Sequence, residues 1–208
     1  MAADTQTFDQ RESALRSYCR AFPTVFETAS NARQVDENGK SYIDFFAGAG
    51  VLNFGHNDER MKKALIEYLQ KDGVLHSLDM FTTAKRAFID KFVETILEPR
   101  SMPHRLQFMG PTGTNAVEVA LKLARRVTGR TEVVAYTHGF HGMTLGSLAL
   151  TANDYFRNAA GVPLEHVRHM PFGCEIPCKG CNLGCGLDSI ARLRGLYEDA
   201  PSGVKPPA

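Results

Sequence analysis

One stretch restricts the fold of this chain more than any other. Between residues 106 and 137 the hydrophobic period changes twice. Leu106, Phe108 and Met109 form a short apolar run, which Gly110-Pro111-Thr112-Gly113-Thr114 interrupts. Val117, Ala120, Leu121, Ala124 and Val127 then recur at helical spacing, and Gly129 follows as a stop. Asn115 and Glu118 have the spacing of a capping box. Residues 132–137 (EVVAYT) read as a strand. Strand, glycine-rich turn, helix and strand in that order predict a βαβ unit. Such a unit needs a parallel sheet, so the chain belongs to the α/β class.

The flanking sequence is consistent with one such domain preceded by a smaller segment. Residues 9–20 suit a short polar helix. Val35 and the group Tyr42, Ile43 and Phe45 flank Asn38-Gly39, a hairpin signal. Residues 47–56 (AGAGVLNFGH) are rich in small residues and read as a loop that faces something. Asn57 or Asp58 can cap a helix striped by Met61, Ala64, Leu65, Tyr68 and Leu69 and closed by Gly73. A second helix spans Thr83 to Leu97 and stops before Pro99, with residues 76–82 (HSLDMFT) as the connection. A second glycine-rich turn covers residues 138–144 (HGFHGMT), Val167 to Pro171 reads as a strand, and a helix follows from Leu187 to Tyr197. The expected division is an N-terminal α+β segment over 1–56 and the first part of a large domain over 57–208, which includes a cysteine-rich loop at 173–186. Residues 200–208 (APSGVKPPA) read as a proline-rich loop.

Composition excludes several classes of function. With 24 Lys+Arg against 23 Asp+Glu, the net charge of +1 excludes a strongly basic nucleic-acid binder. No window approaches the ~18 consecutive apolar residues of a membrane-spanning helix. The polar N-terminus lacks the apolar core of a secretory signal. The expected setting is therefore cytoplasmic, without membrane or nucleic-acid partners.

Three motifs carry chemistry. The first is the turn Thr112-Gly113-Thr114 at a helix start. Unpaired N–H groups and the positive end of the helix dipole suit a phosphate there. The dipole contributes only about 0.3–1 kcal/mol, so several hydrogen bonds must share the work. The turn matches neither nucleotide-binding glycine pattern. Locally it reads either as a phosphate site or as a plain helix cap. The second motif is Phe140-His141, framed by Gly139 and Gly142, which suits stacking on a planar ring or a packed loop. The third is Cys174, Cys178, Cys181 and Cys185. Four thiolates this close can reach a zinc ion or an iron–sulfur cluster, or stand unligated in a loop. Cys19 stands apart and suits buried packing.

The two turns together resemble the subgroup III aminotransferases, fold type I enzymes that use pyridoxal phosphate. The residues that carry the resemblance are TGTNAVEVALKLAR (112–125), FHGMTLG (140–146) and, upstream, DENGKSYIDFFAGAGVLNFGHN (36–57). Residues 7–172 are covered, and the cysteine loop departs from the pattern. Within the family the match is closest to enzymes that act on a diamino acid. The resemblance implies a mostly parallel sheet, incomplete here, and transfer of a terminal amino group between L-2,4-diaminobutyrate and 2-oxoglutarate. Ornithine, GABA or another ω-amino donor stays open. It also implies that Thr112, Gly113 and Thr114 hold the cofactor phosphate and that Phe140 stacks on its ring, with His141 beside it. Phe45 to Asn53 would line the substrate entrance, and residues 76–82 would lie near a subunit interface in a homodimer or higher oligomer. The family's cofactor-linking Lys and ring-pairing Asp fall in the second half of its sequence. Lys122 and Lys205 match neither, so the 208 residues are expected to be inactive alone. The other reading is an inactive domain that binds a metal or a partner chain.

Overall fold

The structure, a computed structural model, describes residues 4–13, 22–171 and 187–208. They form two compact units, residues 1–75 and 76–208.

The first unit is built on a three-stranded antiparallel sheet of β1 (Phe26–Ser30), β2 (Arg33–Asp36) and β3 (Ser41–Ile43), in that order. Asn38-Gly39 forms the β2–β3 hairpin as the sequence predicts. Asp36, only 5% exposed, closes it from inside. Its carboxylate accepts from the N–H groups of Asn38 (3.0 Å) and Lys40 (2.9 Å) and from the Tyr42 hydroxyl (3.0 Å). The predicted helix over 9–20 differs. Helix α1 covers Gln6–Arg11 and ends there because Glu12 is extended. The residues from 14 to 20 lie outside the described part.

After the sheet, Asp44 organises the small-residue loop. It accepts from the N–H groups of Phe46 (2.8 Å) and Ala47 (3.0 Å) and pairs with His56 Nε2 at 2.7 Å. The Ala47 N–H first, and His56 second, hold the Asp44 carboxyl down to about 2. The single turn α2 (Ala47–Gly50) carries left-handed backbone at Gly48 and Ala49. Helix α3 (Glu59–Gln70) is capped by Asp58, which accepts from the N–H groups of Arg60 and Met61. Its apolar stripe (Met61, Leu65, Leu69) is exposed.

In the second unit, α4 (Thr83–Phe92) starts at the cap Thr82 and continues through a wider turn to Leu97, close to the predicted end. Lys85 Nζ donates to the carbonyls of Ser77 (2.8 Å) and Leu78 (3.0 Å), which pins the preceding connection to the helix. Helix α5 (Gly113–Thr128) leads to β4 (Val133–Tyr136), which pairs in parallel with β5 (Val167–Met170) from Val133↔Val167 to Tyr136↔Met170. Between these strands lie α6 (Leu145–Leu150) and α7 (Asp154–Arg157), and α8 (Leu187–Glu198) follows. The core joins Leu121, Ala135 and Leu150, with Val117, Val133 and Val167 against them.

The parallel pair and the α/β class agree with the sequence. The strand expected at Leu106–Met109 is absent: no ladder partner lies beside it among the described residues, and an extended segment without one is not a strand. Phe108 instead packs edge-on against Phe88 at 5.9 Å. Val127, expected on the buried face, is 75% exposed.

Candidate functional site

The first turn is set by the start of α5. The cap is Thr112, three residues before the Asn115 of the expected capping box. Thr112 is extended (φ −122°, ψ 155°), and its hydroxyl donates to Asn115 Oδ1 (3.0 Å) while accepting from the Asn115 N–H (3.4 Å). This reciprocal cap outcompetes the later one because it satisfies the N–H of the third helical residue. The N–H groups of Gly113 and Thr114 take no acceptor among the described residues. A side-chain carbon built on Gly113 would meet nothing within 4 Å. The open helix start thus offers two donors, a clear approach and the positive end of a sixteen-residue helix.

Glu118, freed from capping, faces the second turn. Thr144 Oγ1 donates to it, and the Ser147 N–H does so at 3.1 Å. Burial pushes the Glu118 carboxyl up. Donation from Thr144 and from the N–H groups of Ser147 and Gly146, with Lys122 nearby, outweighs burial, so the net shift is downward. The Thr114 hydroxyl shares hydrogen bonds with those of Thr144 (2.8 Å) and Ser147. The turn at 140–142 closes against the same cluster. Gly142 has φ +131°, and any side chain there would collide with Thr114 Oγ1 and Ser147 Oγ.

Phe140 is 51% exposed and meets Phe156 edge-on at 5.2 Å, so its ring is supported on one side and open elsewhere. The His141 N–H donates to the hydroxyl of Thr151, a fully buried residue (3.0 Å). Arg157 Nη1 donates to the carbonyls of Leu148 (3.3 Å), Ala149 (2.8 Å) and Thr151 (2.8 Å), which terminates α6.

Thr112, Gly113 and Thr114 therefore lie together at the helix start, and Phe140 and His141 lie on the turn that closes on Thr114 through Gly142. An anion held by backbone N–H groups, joined to a planar ring beside an open aromatic face, is the kind of group these residues fit. A phosphorylated pyridine such as pyridoxal phosphate has that form. Sequence reasoning missed Glu118, Thr144, Ser147, Thr151 and Arg157. Their partners lie 26 to 33 positions away for Glu118 and Thr114, beyond any local pattern. Cys19, Cys174, Cys178, Cys181 and Cys185 lie outside the described residues. Among the described residues no group of three or more His, Cys, Asp or Glu side chains is arranged to hold a metal ion, and no helix is long and apolar enough to cross a membrane.

Comparison with known proteins shows the family of the chain. Residues 16–200 match the family described as Aminotransferase class-III. Diaminobutyrate--2-oxoglutarate transaminase of Halalkalibacterium halodurans is 53% identical over 205 residues, covering 99% of this chain and 46% of that protein. The transaminase of the same name from Streptomyces anulatus is 59% identical over 202 residues, covering 97% and 46%. The chain spans about half the length of the curated relatives it matches. Among solved structures, the omega transaminase from Pseudomonas jessenii in complex with PMP superposes with a TM-score of 0.70 at 18% identity, over 93% of this chain and 46% of that one. That likeness extends to the fold.

Proposed function

Because the chain belongs to the class-III aminotransferases, a family that uses pyridoxal phosphate, we propose that it forms the phosphate-holding part of an enzyme that moves the terminal amino group between L-2,4-diaminobutyrate and 2-oxoglutarate. The products are aspartate 4-semialdehyde and glutamate. The observation that carries the substrate choice is 50–59% identity, over nearly the whole chain, to relatives named for that reaction.

When bound, pyridoxal phosphate supplies the electron sink that lets nitrogen pass between carbon skeletons. The residues described here bind and orient it. The N–H groups of Gly113 and Thr114, with the α5 dipole behind them, hold the phosphate. Thr112 fixes the helix start that presents those groups. Phe140 offers its open face to the pyridine ring, and His141 stands beside it. The Lys and Asp that complete the family's chemistry are supplied from outside these 208 residues, which alone transfer no amino group. Residues 76–82 expose Leu78, Met80 and a fully exposed Phe81, and in a homodimer they meet the partner subunit.

The test is glutamate formation by the pyridoxal-phosphate-loaded enzyme from 2-oxoglutarate, with L-2,4-diaminobutyrate, ornithine and GABA compared as donors at equal concentration. Diaminobutyrate is expected to give the highest kcat/KM. A higher value for ornithine or GABA would overturn the substrate assignment.

A further inference from the structure

We propose that Glu118 is a positioning residue that locks the turn bearing Phe140 onto the helix bearing Gly113, and so sets the spacing between the ring-facing and phosphate-facing parts of the site. This rests on the pyridoxal phosphate reading above.

The connecting piece is α6. At six residues it is far too short to hold its own shape, so its place is dictated by what grips its ends. At its start the gripping group is Glu118, reaching across from the second turn of α5. It accepts from Thr144 Oγ1 and from the Ser147 N–H at 3.1 Å. Gly146 leaves room for it: a side-chain carbon there would collide with the Glu118 carboxylate. At the other end the Arg157 guanidinium donates to the carbonyls of Leu148, Ala149 and Thr151. An acid at the first turn and a base at the last both complement the helix dipole. The grip is passed on to the site at two points. The hydroxyls of Thr144 and Ser147 hold Thr114. Thr151 accepts from the His141 N–H and lies 3.2 Å from the Gly142 carbonyl. Arg157 comes from the same side of the chain as the second turn. Of the two charged grips, Glu118 alone reaches across from the phosphate helix.

This separates Glu118 from a residue that merely adds stability. Inorganic phosphate needs only the N-terminus of α5, which keeps its Thr112 cap in a Glu118 variant. Pyridoxal phosphate needs both turns at one spacing. General destabilisation lowers both affinities through the folded fraction, whereas loss of spacing lowers only the second.

The experiment titrates the cofactor-free enzyme with pyridoxal phosphate and, separately, with inorganic phosphate. Pyridoxal phosphate binding is followed by the cofactor absorbance and the circular dichroism of that band, and inorganic phosphate binding by titration calorimetry. Glu118→Ala is expected to weaken pyridoxal phosphate by about tenfold or more, since small misplacements are costly in such sites, and to lower the dichroism of the bound cofactor. Its phosphate affinity should stay within about twofold of wild type. Glu118→Gln keeps an acceptor oxygen for Thr144 and Ser147 and should recover most of the loss. If Glu118→Ala fails to fold, Thr144→Val removes the donor hydroxyl and should show the same selective weakening. A folded Glu118→Ala, or in its place Thr144→Val, with the wild-type ratio of the two affinities would overturn the proposal. Wild-type enzyme that binds neither ligand would instead overturn the cofactor reading on which it stands.

Discussion

Replacing Gly113 by Asp should separate the stability of α5 from its capacity to hold an anion. The side chain has room, because a carbon built on Gly113 meets nothing within 4 Å. An acidic residue in the first turn of a helix is favourable by about 0.3–1 kcal/mol, and the first turn of α5 now has none. Folding stability should therefore hold or rise slightly. Binding should collapse. A carboxylate ~4 Å from a bound phosphate, at an effective dielectric of ~20, is repelled by about 4 kcal/mol per unit of phosphate charge. At 1.4 kcal/mol per decade this is a loss of at least about a hundredfold in affinity. The assay pairs a denaturant melt with a pyridoxal phosphate titration followed by absorbance. A variant as stable as wild type that no longer retains the cofactor is the expected result. Undiminished affinity would show that the phosphate does not sit at the start of α5, and the reasoning would fail there.

Other consequences concern the supports of the site and of the first unit. Thr112→Ala removes the cap of α5 and should cost about 1 kcal/mol in a denaturant melt. Arg157→Ala removes charged donors from three carbonyls at the end of α6 and should cost about 1.5–3 kcal/mol, read in the same way. Asp44, held at about 2 by the Ala47 N–H and His56, lies below the ~3.9 of an unfolded aspartate. The stability it contributes is present above that unfolded value and is lost as pH falls through the folded one. Asp44→Asn should flatten the acid dependence of unfolding between about pH 4 and pH 2. A slope unchanged from wild type would remove Asp44 as its source.

The class of fold and the two turns were legible in the sequence because their signals are local. Asn38-Gly39 between apolar runs specifies a hairpin. The helix of residues 113–128 is marked by its own stripe and by Gly129. The strand at 133–136 is marked by its β-branched and apolar run, and the one at 167–170 by Val167 and Met170 at its ends. The grip on the second turn was not legible. Glu118 offers a local role, three residues after Asn115, that looks complete. Its actual partners, Thr144 and Ser147, are brought near only when α6 folds back. Lys85 was hidden for another reason: its charge is spent on the main-chain carbonyls of Ser77 and Leu78, which no side-chain pattern marks. Leu106–Met109 failed in the opposite way. The sequence has strand character there, but a strand is a property of a pair, and no partner lies alongside among the described residues. Thr112 shows how close alternatives compete. Thr112 and Asn115 are both good caps, and the earlier one is chosen because it engages Asn115 itself through two hydrogen bonds.

The central claim is that the start of α5 and the Phe140 turn form one site for pyridoxal phosphate. A crystal structure of the enzyme with the cofactor bound tests it most directly. Phosphate oxygens should lie within about 3.2 Å of the backbone nitrogens of Gly113 and Thr114, with the pyridine ring against Phe140. A phosphate bound elsewhere, with the helix start facing water, would contradict it.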